Sequence, residues 1–219
     1  MKFMIDDGVI KFSFSEFLKT KAVPLAEFES LELQRKRLFE YNLIGEYLPE
    51  KIGFGNISIR KDYISRKEST FPQFIITGTQ TGALKDLTGE HYTRVVDGDL
   101  NSQSIGCHGP IEASSESLTH GAMYLASEKI KAIVHIHHKQ MWEEMLKKDF
   151  PRTKDCTSYG TSEMAHEAMN LIKGKEEGVL VMHGHQDGII FYGQSIEEAT
   201  ELTLKHYFLI VSEGGSFPG

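Results

Sequence analysis

Apolar positions recur along this chain at two spacings, and each spacing predicts a kind of element. Between Pro24 and about Pro49 a stretch rich in Leu, Glu, Lys and Arg carries its apolar residues at helical spacing, and Pro49 supplies the stop. Asn56-Ile57-Ser58-Ile59-Arg60 alternates, and Phe74-Ile75-Ile76-Thr77 is apolar and β-branched, so both predict short strands. A Gly/Thr loop from Thr77 to Gly82 follows, then a strand from Tyr92 to Val96 that ends in a turn signal, Asp97-Gly98-Asp99. After a loop around Gly106 to Pro110, ASSESLTHGAMYLASEKI predicts a helix opening near Ser114 and running to about Lys129. The apolar run at Ala132 to His137 is a buried strand. A helix is expected over about Ser162 to Ile172, strands over Gly178 to Met182 and Gly188 to Tyr192, and a last helix from a capping box at Ser195 through about Val211. Strands joined by hairpin-like turns and mixed with helices predict α/β layers around a mixed, largely antiparallel sheet.

Polar residues interrupt this pattern where AIVHIHH ends the central apolar run. Successive side chains on a strand face opposite ways, so His135 and His137 share a face and His138 points away. Two imidazoles on one face suit a first-row metal ion, but a zinc site takes three or four protein groups. His183 also sits where an apolar strand runs out. His185 lies two residues on and can share that face, so spacing leaves open which of the pair binds. Glu116 falls in the first turn of the helix that leads to the histidine strand, where the helix dipole favours a carboxylate. Ser114 and Ser115 precede it. Their hydroxyls and the free N–H groups of the helix start form an anion site or an ordinary N-cap.

Composition narrows the chemistry. A formal charge of −7 and a pI near 5.8 argue against a nucleic-acid surface, and the basic cluster Gln34-Arg35-Lys36-Arg37 is too short to change that. It reads as a solvated helix face. No apolar window reaches a membrane span, and MKFMIDDGVIKF has acids where a signal peptide needs its apolar segment, so a cytoplasmic chain is expected. Cys107 and Cys156 lie far apart and outside any CxxC pattern, so a metal must rely on His and carboxylates. No linker or composition break divides residues 1–219, which predicts one domain.

Four segments, GFGNISIR, ASSESLTHGAMY, AIVHIHH and GVLVMHG followed by YGQSIEEA, resemble the class II aldolase/adducin family in order and spacing, over roughly residues 30 to 210. The resemblance implies a single three-layer α/β/α domain and a metal-dependent aldolase that cleaves a phosphorylated ketose through an enediolate. It implies His135, His137 and His183 as ligands of a divalent metal, usually zinc, with Glu116 as catalytic carboxylate and further ligand. Ser114 and Ser115 match the phosphate-binding serines, and Asn56 an asparagine that holds phosphate or substrate hydroxyls. The family loop TPSG or TPTG is replaced by Thr77-Gly78-Thr79-Gln80-Thr81-Gly82, where Thr79 or Thr81 would serve. A tyrosine proton donor known across a subunit interface falls on Cys156, with Tyr159 the nearest tyrosine. His138 and His185 are expected near the site or on the surface without a role of their own. His120, one turn beyond Glu116, would orient it or make a core hydrogen bond. A sugar-phosphate substrate and a homotetramer follow from the same resemblance. The alternatives are an epimerase or dehydratase of the family, or a non-catalytic adducin-like interaction module.

Overall fold

This computed structural model describes residues 8–48, 50–61 and 70–212. In chain order the elements are β1 (Ser13–Lys19), α1 (Leu25–Glu40), β2 (Gly45–Tyr47), β3 (Ile52–Phe54), β4 (Asn56–Arg60) and β5 (Phe74–Thr77). Then follow β6 (Tyr92–Asp99), β7 (Ser104–Gly109), α2 (Ser117–Ala126), β8 (Ala132–His137), α3 (Lys139–Leu146), α4 (Ser162–Leu171), β9 (Gly178–Val181), β10 (Gly188–Gly193) and α5 (Ile196–Ser212). Among the described residues the main sheet runs β1-β7-β6-β5-β4-β8-β10-β9, and β2 and β3 form a separate hairpin. Only β1 with β7 is parallel; the other pairs in this sheet are antiparallel.

Alternation along the strands separates two cores. On one face Ile76, Ile133, Ile190 and Tyr192 pack with Leu118, Ala122 and Met123 of α2 and Met164, Ala165 and Ala168 of α4. On the other Ile57, Ile75, Ala132, Val134, Ile136, Ile189 and Phe191 pack with residues of α1, α3 and α5. Helices therefore cover both faces, giving the three-layer α/β/α arrangement. Each fully buried Ile, Leu or Phe contributes about 1.5–3 kcal/mol, which is what holds β8 at the centre.

Five expectations change. Helix α1 ends at Glu40: Asn42 takes φ 54, Asn42 N–H bonds Phe39 O at 2.9 Å and Leu43 N–H bonds Leu38 O at 3.0 Å, a Schellman close that turns the chain into β2. Pro49, the expected stop, lies outside the described residues. The Asp97-Gly98-Asp99 signal is not a turn but the end of β6, with a register shift between Val95 and Asp97, and the expected loop at Gly106 to Pro110 is mostly β7. Helix α2 starts at Ser117 with Glu116 as its N-cap residue and stops at Ala126. Arg35 is no solvated side chain: it is 1 % exposed and grips Glu32 with Nε–Oε2 at 2.7 Å and Nη2–Oε1 at 2.9 Å. Its Nη1 also bonds Leu84 O at 3.0 Å, while Tyr92 O–H and Leu87 N–H complete the Glu32 carboxylate at 2.7 and 2.9 Å.

Candidate functional site

On β8, Ile133, His135 and His137 lie on the face covered by α2, so the apolar row gives way to two imidazoles at the strand end. Both rings are buried, and their Nε2 atoms lie 2.9 Å apart. Each is fixed from behind. His135 Nδ1 bonds Ile189 O on β10 at 3.2 Å, and His137 Nδ1 bonds the hydroxyl of Tyr47 on β2 at 2.7 Å.

The third imidazole is His185, not His183. Gly188 pairs with His137 in the β10–β8 register, and Gly188 N–H bonds His185 O at 2.9 Å, closing a turn with Asp187 at φ 64. That turn places His185 directly over the histidine pair, its ring centroid 5.2 Å from His135 and 4.6 Å from His137. A ring nitrogen from each of the three lies within 4.8 Å of the others. A side chain at Gly188 would meet His185 Nδ1 at 3.1 Å and His135 Cε1 at 3.2 Å, so glycine makes room for the rings. His183 is held elsewhere: its N–H bonds Thr153 Oγ1 at 3.0 Å, and its half-buried ring lies 6.0 Å from Trp142.

Glu116, 1 % exposed, reaches this cluster with Oε1 3.5 Å from His185 Nδ1. One pocket joins the three histidines and Glu116 to Asn56, Thr79, Thr81, Ser114 and Ser115. Asn56 stands opposite His135 in the β4–β8 register, and its buried Oδ1 has no hydrogen-bond partner among the described residues. A buried acceptor of that kind is normally satisfied, so it marks a place for a ligand donor. Thr79 N–H bonds Glu112 O at 3.1 Å, bringing the Gly/Thr loop beside the serines. Thr81 donates its hydroxyl to Gly78 O at 2.8 Å and Thr79 its own to Gly8 O at 3.4 Å. Ser114 Oγ accepts the Glu116 N–H at 3.4 Å, which leaves its own proton to give.

Neither expected proton donor lines the pocket. Cys156 is exposed. Tyr159 stacks on His185 at 4.4 Å, with Lys11 Nζ 3.7 Å from its ring centroid and Val9 N–H bonded to its hydroxyl at 3.1 Å. His138 caps α3, accepting Met141 N–H at 3.2 Å. His120 makes the core hydrogen bond, Nδ1 to Ser58 Oγ at 2.8 Å, and its N–H bonds Glu116 O at 3.0 Å.

The donor set fits a divalent metal. Burial, reinforced by the neighbouring His137, His185 and His120, pushes His135 well below its usual value, and burial alone lowers His120 to about 3. A neutral imidazole is the ligating form. Tetrahedral zinc at 2.0–2.1 Å holds its nitrogens roughly 3.3 Å apart, close to the 2.9 Å between the two Nε2 atoms.

Residues 43–209 match the sequence profile of the class II aldolase and adducin N-terminal domain. The chain belongs to this family. Class II aldolase folds recur among similar solved structures: YgbL from Klebsiella pneumoniae, a candidate aldolase/epimerase/decarboxylase, has a TM-score of 0.62 at 18% identity, covering 88% of this chain and 91% of that one. L-fuculose 1-phosphate aldolase gives 0.58 at 17%, covering 90% and 91%. The sugar-phosphate aldolase from Thermotoga maritima gives 0.54 at 16%, covering 88% and 97%. At these identities the likeness is one of fold. No curated protein sequence matches the chain. Among the described residues no helix is long and apolar enough to cross a membrane.

Proposed function

We propose that this class II aldolase-family protein is a lyase that splits a phosphorylated ketose by a retro-aldol step. The observation that carries the reading is the meeting, in one pocket, of His135, His137 and His185 with the buried Glu116, whose Oε1 is 3.5 Å from His185 Nδ1. His135, His137 and His185 would hold the metal, which we take to be zinc, and Glu116 stands beside them. When bound, the ion supplies Lewis-acid polarisation of a ketose carbonyl, worth several kcal/mol.

Glu116 moves the proton. As base it takes the hydroxyl proton from C4 while the C3–C4 bond breaks toward the carbonyl, and as acid it returns a proton to C3, leaving a ketone and an aldehyde. Positioned proton transfer contributes about a hundredfold or more. Asn56 Oδ1 accepts a substrate hydroxyl. Ser114 and Ser115 offer hydroxyl donors to the phosphate, with Thr79 and Thr81 on the facing loop rotating to add theirs. Since Tyr159 and Cys156 do not line the pocket, the C4 hydroxyl proton passes to Glu116 and to neither of them; the protein is taken to be a homo-oligomer, a tetramer. Residues 1–219 act as one domain, working in the cytoplasm.

The test is a screen of zinc-loaded protein against fuculose, rhamnulose, ribulose and xylulose phosphates, scoring dihydroxyacetone phosphate or glycolaldehyde phosphate. Release by wild type and not by Glu116→Gln is expected. Release from no ketose phosphate overturns the reading.

A further inference from the structure

The segment just before β1 pairs with no strand, yet it reaches the pocket. Ile10 and Phe12 turn inward and pack on the core beneath α2 and α4, which fixes its course. Polar groups then pin it along its length. Lys11 Nζ bonds Ser158 Oγ at 2.8 Å, Gln103 Nε2 bonds Lys11 O, and Val9 N–H bonds the Tyr159 hydroxyl at 3.1 Å. Beyond Val9 the chain arrives at Gly8, whose carbonyl accepts the Thr79 hydroxyl at 3.4 Å and which lines the pocket beside Thr79, Thr81, Ser114 and Ser115. Residues 8–11 lie outside the stretch 43–209 that matches the family profile, so this strap is a feature of the chain itself.

The two ends of the strap meet the two halves of the anion site. Gly8 has φ 76, and a Cβ there would sit 1.8 Å from Gln80 Nε2, so the strap rests directly on the Gly/Thr loop and only glycine fits. At the other end Gly160, φ 69, joins the strap to the serines, since a Cβ there would meet Ser115 O at 3.0 Å and Lys11 Cβ at 3.7 Å. A phosphate held between Thr79 and Ser115 therefore has residues 8–11 at its back. The ester oxygen that leads to the sugar points toward the histidines, and the remaining oxygens turn to the hydroxyls. A second ester group would have to leave between strap and loop, where not even a methyl group on Gly8 finds room. We propose that residues 8–11 are a specificity-determining wall, closing the anion end of the pocket so that it takes a terminal phosphate monoester and rejects a phosphodiester or a nucleotide-linked sugar. Entry of the monoester turns the Thr79 hydroxyl from Gly8 O to a phosphate oxygen, while the bonds at Val9 and Lys11 keep the strap in place.

The inference rests on the phosphate reading above. The test is calorimetry of zinc-loaded protein with two probes, phosphoglycolohydroxamate and its methyl phosphodiester. Wild type should bind the monoester about a hundredfold more tightly, through charge and space together. Charge is the same for every variant, so the ratio of the two affinities reads the wall alone. Tyr159→Phe keeps the stack on His185 but removes the acceptor of the Val9 N–H, and Lys11→Met keeps the apolar stem but removes the bond to Ser158. Each should narrow the ratio about threefold to tenfold, the worth of one hydrogen bond, with zinc content unchanged. A strap that merely supports the fold would weaken both probes together, so an unchanged ratio in both variants overturns the wall, as does equal binding of the two probes by wild type. Should Tyr159→Phe fail to fold, Lys11→Met, changed at a side chain that bonds an exposed serine, decides the matter. Wild type that binds neither probe overturns the phosphate reading and the wall with it, whereas tight monoester binding with an unchanged ratio in the variants overturns only the wall.

Discussion

Exchanging His185 or His183 for alanine should have opposite consequences for the metal, although the two residues are separated by one glycine. Zinc sites with four protein ligands are held by roughly 10–16 kcal/mol, or about 2.5–4 kcal/mol per ligand. Loss of one imidazole therefore lowers affinity about a hundredfold to a thousandfold. His185 is one of the three rings whose nitrogens lie within 4.8 Å of each other, so His185→Ala should show this full loss. His183 faces Trp142 at 6.0 Å, so His183→Ala should leave affinity within about threefold and cost stability on the order of 1 kcal/mol. Thermal unfolding reads the difference. With zinc at a hundred times the wild-type dissociation constant, wild type and His183→Ala gain about 2.7 kcal/mol, whereas His185→Ala gains about 0.4 kcal/mol or less. Retained metal in His185→Ala together with metal lost from His183→Ala would refute the geometry of the hairpin turn.

Glu116→Gln should keep the fold and bind zinc within a few-fold of wild type, yet turn over at least about a hundredfold more slowly, as single-turnover kinetics would register. Ser115→Ala should weaken phosphoglycolohydroxamate binding about tenfold to a hundredfold in calorimetry with metal content unchanged, because a hydrogen bond to a charged group is worth about 1.5–3 kcal/mol; unchanged binding would remove Ser115 from the anion site. Burial pushes Glu32 up, but its bonds to Arg35, the Leu87 N–H and Tyr92 outweigh this and hold it below its ordinary 4.5. A depressed folded-state value means stability present above 4.5 and lost as pH falls through the folded value, so urea midpoints should drop below pH 4.5. Glu32→Gln should lose about 3–5 kcal/mol at pH 7, because Arg35 is left charged and buried, and should flatten that acid limb.

What the residue pattern made legible was whatever depends on local alternation. β4, β5, β8 and β10 announce themselves as apolar or alternating runs, and the shared face of His135 and His137 needs only the two-residue period of a strand. β7 did not, because Ser-Ile-Gly-Cys-His-Gly looks like a loop until β1 and β6 pair with it on either side. Helix α3 is only eight residues long and begins directly after His138, so it was masked by the strand signal before it. Asn42 closes α1 because asparagine tolerates the left-handed conformation, a weaker signal in the residue pattern than the proline at position 49. The choice between His183 and His185 lay beyond spacing, since both can face one way along an extended chain. The register of Gly188 against His137, a contact between residues 51 apart in number, is what brings His185 rather than His183 over the histidine pair. Arg35 is similar: its partners Leu84 and Lys85 come from another part of the chain, so its charge alone suggested solvent. Tyr47 carried no pattern at all, because its meaning comes from His137, 90 residues away.

The parallel pairing of β1 with β7 also bears on how the molecule is made. Ser13 pairs with Ser104, so β1 leaves the ribosome with no edge to join until β7 has emerged as well. At about 5–20 residues per second, that delay is on the order of ten seconds. Throughout it Phe12 and Phe14, which pack edge to face at 5.4 Å in the finished protein, are without the β7 backbone that later aligns them. A nascent chain with two unhoused phenylalanines is the state a chaperone would meet, and β1 waits in it for a partner that lies about ninety residues further along the chain.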